Sequence, residues 1–421
     1  MRVELQYGRG ELAVELPNGR TDVFAPARAS ALGDAPAAFR AAVRAPLAGP
    51  ALRGLIGAGE RVAVVISDAT RPLPSAQLLG WLFEELSHVS PRNVSVLIGT
   101  GSHRATTPHE IEQLLGPWAT RCTVVDHDAR DRARLKAVGK SRDGRTISFN
   151  SAYVDADRRI LLGFVEPHFM AGFSGGYKAV FPGLADIEAI THYHRAQVIG
   201  DPQSTWGALQ ENPTQQQVRD NGALLPVDFL INVTLNRAQQ ITGFFCGEVI
   251  SAHEAACAHV AAAAMVKCER RYPIVVTTNA GYPLDQNLYQ TVKGLSAAAQ
   301  IVEPGGLIVA ASRCDQGFPD HGNFWRLLVS HASPDALLKT ILAPGFSLFD
   351  QWQAQILANL AKLARLALYS ELAPADVRAA FIEPTSDVAE RVARELATLG
   401  PSARVAVLPE GPMTIPFVSL D

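Results

Sequence analysis

The residues best suited to chemistry in this chain cluster in Glu166–Gly183, which reads EPHFMAGFSGGYKAVFPG. Four glycines and two prolines among these 18 residues rule out a regular element, so the stretch reads as a shaped loop. Consecutive Ser174, Gly175 and Gly176 would let backbone N–H groups come close to a ligand, as phosphate-binding loops require, and Lys178 follows. The same spacing also fits a glycine-rich surface turn with a solvated lysine. A nucleotide P-loop fits less well, because Ala179 stands where the magnesium-holding Ser or Thr would be. His168 lies ten residues before Lys178, and His192 and His194 come after it. A lone histidine is more often a satisfied polar group, but several beside one glycine-rich loop favour metal binding or acid–base work. A strand or helix through His192 and His194 would point only one of them inward. No His-x-x-x-His or Cys-rich set builds a complete metal cage, so a metal here would need most of its ligands from outside the protein.

Other candidates stand at the ends of apolar runs. Asp68-Ala-Thr-Arg71-Pro72 leaves the run RVAVVISD. The planar fork of Arg71 suits a carboxylate or phosphate, and Asp68 could hold ribose hydroxyls; the bland alternative is a surface ion pair capping the next helix. His103 and Arg104 follow the next run, and His127 and Asp128 the one after, so three successive strand ends carry charged or titratable groups. Further on, NAGYPLDQNLYQTVK, ending at Lys293, is polar and aromatic before a helix that places Gln290 and Lys293 one turn apart on one face. Trp352, opening an amphipathic stretch, reads by itself as packing.

These groups need a scaffold. Apolar runs at 61–68, 93–99, 122–125 and 159–164 alternate with helical patterns, one of them starting at Thr107 with a capping box closed by Glu110. That alternation predicts an α/β fold with a mostly parallel sheet flanked by helices, and ligands at the carboxyl ends of its strands. An Ala-rich helix over 251–270 reads as a connector, after which the pattern restarts with strands at 273–278, 306–312 and 404–408. The reading is therefore two α/β domains, 1–265 and 266–404, with the tail 405–421 returning to the first and an active site in the cleft between them. A chain of 421 residues suits two cores. The net charge of −3 argues against nucleic acid or an anionic membrane as partner. No signal peptide or membrane-length apolar run is present, and five scattered cysteines without Cys-x-x-Cys suit free thiols in a reducing, cytoplasmic setting.

Taken in series, DATRP, GTGSHR, the 166–183 loop, GYPLDQNLYQTVKG and DQWQAQILA resemble the nickel-dependent lactate racemase family over residues from about 61 to 365. The resemblance implies a racemase or epimerase of a small, lactate-like 2-hydroxy acid. Its cofactor would be nickel held by pyridinium-3,5-bisthiocarboxylic acid mononucleotide, a pincer tethered covalently to a lysine. Matched by motif, Lys178 is the tether, His194 the nickel ligand, and His103 and His168 the acid–base pair. Arg71 and Lys293 then hold the substrate carboxylate, Tyr289, Gln290 and Trp352 line its pocket, and Asp68 with Ser174, Gly175 and Gly176 holds the cofactor. The implied reaction is proton-coupled hydride transfer from C2 to the pyridinium and back to the other face, one histidine serving each enantiomer. Cofactor-biosynthesis proteins would be transient partners. A metal-assisted epimerase or lyase without the pincer, and a non-catalytic nickel or phosphate-ligand binder, are the competing readings.

Overall fold

The structure is a computed structural model that describes residues 1–27, 29–319 and 322–418. It has two compact units: an amino-terminal unit of Arg28–Tyr193 and Gly207–Ala261, and a carboxy-terminal unit of Met1–Ala27, His194–Trp206 and Ala262–Asp421.

In the amino-terminal unit the apolar run becomes the strand Val62–Ser67, inside a six-stranded sheet. A strand covered on both faces must read as a continuous hydrophobic run, and this one does. Its parallel neighbours are Arg158–Phe164 and Val94–Gly99. Thr123–Asp126 and Phe229–Leu235 extend the sheet in parallel, and Ile241–Gly247 closes one edge antiparallel. Side chains alternate between two cores: Val62, Val64 and Ile66 pack with Leu78 and Leu82 of the helix Ser75–Glu85, whereas Ala63 and Val65 pack with Tyr153 and Val180 on the other face. The expected capping box is formed at Pro108–Leu115, with Thr107 and Glu110 satisfying each other's backbone N–H groups.

The carboxy-terminal unit is built on a second six-stranded sheet, in the order Glu383–Pro384, Arg365–Tyr369, Val302–Ala311, Tyr272–Thr278, Val405–Leu408, Thr21–Val23. Every pairing in it is parallel. The two-domain α/β reading therefore holds, but the division of the chain differs from 1–265 and 266–404. The first 27 residues join the second unit because Thr21–Val23 hydrogen-bonds to Val405–Leu408. The tail does not return to the first sheet: Ile415–Val418 pairs in parallel with Met265–Cys268. That second strand also shortens the expected connector, whose helix ends at Ala264. Among the described residues no helix is long and apolar enough to cross a membrane, and all five cysteines are free thiols.

Candidate active site

Within the amino-terminal unit, the strand ends carry titratable groups, and the Asp68 carboxylate is engaged by two neighbours. Its Oδ2 is 2.6 Å from His103 Nδ1, and its Oδ1 accepts from Thr70 Oγ1 at 2.6 Å. Burial by itself would raise the Asp68 carboxyl, but the hydrogen bonds from His103 and Thr70 and the charge of Arg71 outweigh it and hold the group below its ordinary range. An ionised carboxylate can only accept, so His103 donates from Nδ1 and presents the Nε2 lone pair outward, on a side chain 46% exposed. Asp68 thereby orients His103. Arg71 turns off the same strand end, its N–H donating to Asp68 O at 3.2 Å. Its guanidinium makes no hydrogen bond or ion pair among the described residues, as suits an anion-binding fork.

The 166–183 loop is a braced structure. Glu166 N–H donates to Ser174 Oγ at 2.9 Å and Ser174 N–H to Glu166 O at 2.9 Å, closing a hairpin in which His168 pairs with Gly172. Gly175 and Gly176 have φ of +86° and +56°, which favours glycine. A Cβ on Gly175 would stand 2.7 Å from Val165 Cγ2, and one on Gly176 2.8 Å from His253 Cγ. Gly176 N–H donates to Asn232 Oδ1 at 3.2 Å. The Ser174 hydroxyl and the Gly176 amide are therefore spent inside the protein, and the glycines serve close packing. The support, His253 and Asn232, was missed because each lies alone in an apolar or Ala-rich stretch. His253 Nε2 lies 2.9 Å from Ser174 O, and burial pushes its imidazole down to about 4, so the neutral ring donates to that carbonyl. Lys178 sits on the short turn Gly176–Ala179 that this packing holds, and Gly101 N–H donates to Gly183 O at 3.0 Å, tying the His103 loop to the Lys178 loop. His168 Nδ1 accepts from the N–H groups of Met170 and Ala171 at 3.2 and 3.1 Å.

The remaining histidines at this end have structural partners. His127 is buried, with Nε2 3.0 Å from Ala185 O, and burial lowers its pKa. His192 pairs with Asp143 at 2.5 Å, and Arg104 pairs with Glu110.

In the carboxy-terminal unit, Asn287 caps the helix Leu288–Ala298, its Oδ1 accepting Gln290 N–H at 3.0 Å. Trp352 Nε1 donates to the Tyr289 hydroxyl at 3.2 Å, and Gln353 Nε2 to Tyr289 O. Trp352 is buried and its ring stacks on that of His194, centroids 4.3 Å apart. One turn on, Gln355 Nε2 donates to Ala196 O at 2.8 Å, so the helix Gln351–Leu363 fixes the segment carrying His194. Four of the expected residues, Tyr289, Gln290, Lys293 and Trp352, thus lie on two adjoining helices. Gln290 Oε1 is buried with no hydrogen-bond partner among the described residues, a state costing about 1–3 kcal/mol unless a donor meets it. Among the described residues no group of three or more His, Cys, Asp or Glu is arranged to hold a metal ion.

The chain matches the lactate racemase N-terminal domain over residues 7–207 and the lactate racemase C-terminal domain over residues 267–415. It is 31% identical over 417 residues to a lactate racemase of Thermoanaerobacterium thermosaccharolyticum, covering 97% of each chain. Over 373 residues it is 30% identical to a lactate racemase of Lactiplantibacillus plantarum, covering 87% of each. The solved lactate racemase apoprotein from T. thermosaccharolyticum matches it with a TM-score of 0.91 at 29% identity, covering 99% of this chain and 100% of that one. A Thermotoga maritima protein at 17% identity, TM-score 0.66, covering 87% of this chain and 97% of its own, shares the fold.

Proposed function

We propose, for a chain that belongs to the lactate racemase family, that it interconverts the enantiomers of a small 2-hydroxy acid, lactate being the substrate named for both relatives. The observation that carries this reading is the Asp68–His103 pair, an imidazole tied at Nδ1 to a buried carboxylate and so prepared to take a hydroxyl proton at Nε2. Arg71, beside it, suits the substrate carboxylate; in the carboxy-terminal unit Lys293 offers a cation, and Tyr289, Gln290 and Trp352 offer polar and aromatic groups, for the same class of ligand.

The donor set fits the family's nickel-pincer nucleotide at two points and departs from it at one. Lys178 offers a primary amine on a braced turn for the tether, and His194 an imidazole for the metal, its ring fixed by Trp352. Gln290 Oε1 is a buried acceptor awaiting a donor. The departure is at the Ser174 hydroxyl and the Gly176 N–H, which are engaged within the protein. When bound, such a group supplies a pyridinium carbon able to accept and return hydride. The chain's own work is to hold the carboxylate, orient the hydroxyl and move its proton. Cofactor-biosynthesis proteins are the transient partners this reading requires.

The test is production in cells that make the pincer cofactor, with loading at Lys178 verified by intact mass and metal content. Loaded protein incubated with pure L- or D-lactate should reach the same racemic mixture from both sides. Verified loading with no interconversion of lactate or a larger 2-hydroxy acid would overturn the reading.

A further inference from the structure

The helix Gln351–Leu363 opens with three glutamines that are almost wholly buried, and each holds a different segment. A buried amide needs a hydrogen-bond partner to offset its lost water. Gln351 Oε1 accepts Leu348 N–H at 2.7 Å, and Gln353 Nε2 donates to Tyr289 O. Gln355 reaches the main chain two residues past His194, where Ala196 O accepts its Nε2 at 2.8 Å. A carbonyl only accepts, so the amide must face it through nitrogen, and Gln355 Oε1 is left buried with no hydrogen-bond partner among the described residues. The same carbonyl accepts Gly200 N–H at 2.8 Å, which closes the short turn Ala196–Ile199. A Cβ on Gly200 would stand 3.0 Å from Gln355 Nε2, so the glycine makes room for the amide. Three residues before Gln355, Trp352 meets the His194 ring with the two planes 28° apart. The indole is itself held by the Tyr289 hydroxyl at its nitrogen and packed against the Phe349 ring.

We infer that Gln355 is a positioning residue for the proposed nickel ligand. With Trp352 it fixes His194 at two points, the ring through the indole and the main chain through Ala196 O. The imidazole is then already ordered when the metal meets it, and binding need not bear the cost of ordering it. The inference rests on the racemase reading above, through His194 as the metal's protein ligand. Gln355 acts on that ligand through the backbone, and Gly200 keeps the space its amide occupies.

The test has one arm without cofactor and one with it. In unloaded protein labelled with ¹³C at the histidine rings, the His194 Cε1–H signal, assigned from His194→Gln, should lie upfield, because an aromatic face shields a ring stacked on it. Gln355→Met keeps the length and loses the donor, and should move that signal toward the position of a solvated histidine. In protein loaded in cells that make the pincer cofactor, competition with a chelator reads how tightly nickel is held, while intact mass follows the adduct on Lys178. Gln355→Met should give up nickel at about 10–100-fold lower chelator concentration with the adduct retained, the usual worth of a group that orients a metal ligand. Gly200→Ala should act in the same direction by a smaller factor. Gln351→Met, which frees only the Leu348 amide, should lower the denaturant midpoint and hold nickel as wild type does. An unmoved His194 signal with wild-type nickel retention in Gln355→Met, or an equal loss in Gln351→Met, would overturn the inference. Wild-type protein that never carries the adduct, or His194→Ala that holds nickel as wild type does, would overturn the reading of the site and Gln355's role with it, whatever the His194 signal shows.

Discussion

The strand end at Asp68–Arg71 and the glycine loop at Ser174–Lys178 both carry charged groups, yet they solve opposite problems. At the strand end the backbone is ordinary and the side chains are unusual: a buried carboxylate kept ionised, an imidazole fixed to it, and the Arg71 guanidinium proposed to hold the substrate. In the loop the backbone is unusual and most side chains are structural: left-handed glycines pressed on His253 and Asn232, with Lys178, the proposed tether, on the turn they support. Substitutions should therefore separate into changes of activity at constant stability and changes of stability.

Four substitutions distinguish the two regions, in decreasing order of effect. Lys178→Ala should abolish covalent loading and activity while leaving the denaturant midpoint near wild type; a loaded, active variant would remove Lys178 as tether. Gly176→Ala should cost about 3 kcal/mol, combining overpacking against His253 with a left-handed backbone. A chemical-denaturation midpoint equal to wild type would show that the loop is not braced as described. Arg71→Lys keeps the charge but loses the fork, and should cost about 1.5–3 kcal/mol in kcat/KM with stability unchanged. His192→Ala, removing a surface pair with Asp143, should change unfolding free energy by less than about 0.5 kcal/mol and leave activity alone.

The pH dependence follows from the direction of the Asp68 shift. Its folded pKa is lowered, so it stabilises the fold above the unfolded carboxylate value, and that contribution is lost as pH falls through the lower folded value. Asp68→Asn should flatten that part of the acid limb of stability. An acid limb identical to wild type would mean that the carboxylate is not ionised by its partners.

Much of this was legible in the sequence because parallel strands announce themselves. Val62–Ser67 and Val94–Gly99 are continuous apolar runs, and the groups at their ends had to lie at the carboxyl edge of a parallel sheet. The Thr107 capping box was equally local. What stayed hidden depends on distant partners. Nothing near Asp68 says that its carboxylate meets a histidine 35 residues on. Nothing in Ser174–Gly176 separates a glycine that admits a ligand from one that admits His253, 77 residues on from Gly176. The chain division was misread for the same reason, since Thr21–Val23 finds its partner at Val405–Leu408. Likewise nothing beside Asn212 signals its hydrogen bond to Met170 O, 42 residues back.

On the proposed reading this chain would invert C2 by moving a proton through its histidines and hydride through carbon, without releasing the C2 hydrogen to water. Loaded enzyme given 2-hydroxy acid deuterated at C2, in ordinary water, tests it most directly. The account predicts complete racemisation with the deuterium retained at C2 and a trace of 2-keto acid on rapid quenching. Deuterium lost to solvent at the rate of racemisation, with no keto acid, would contradict it and point to proton abstraction from carbon.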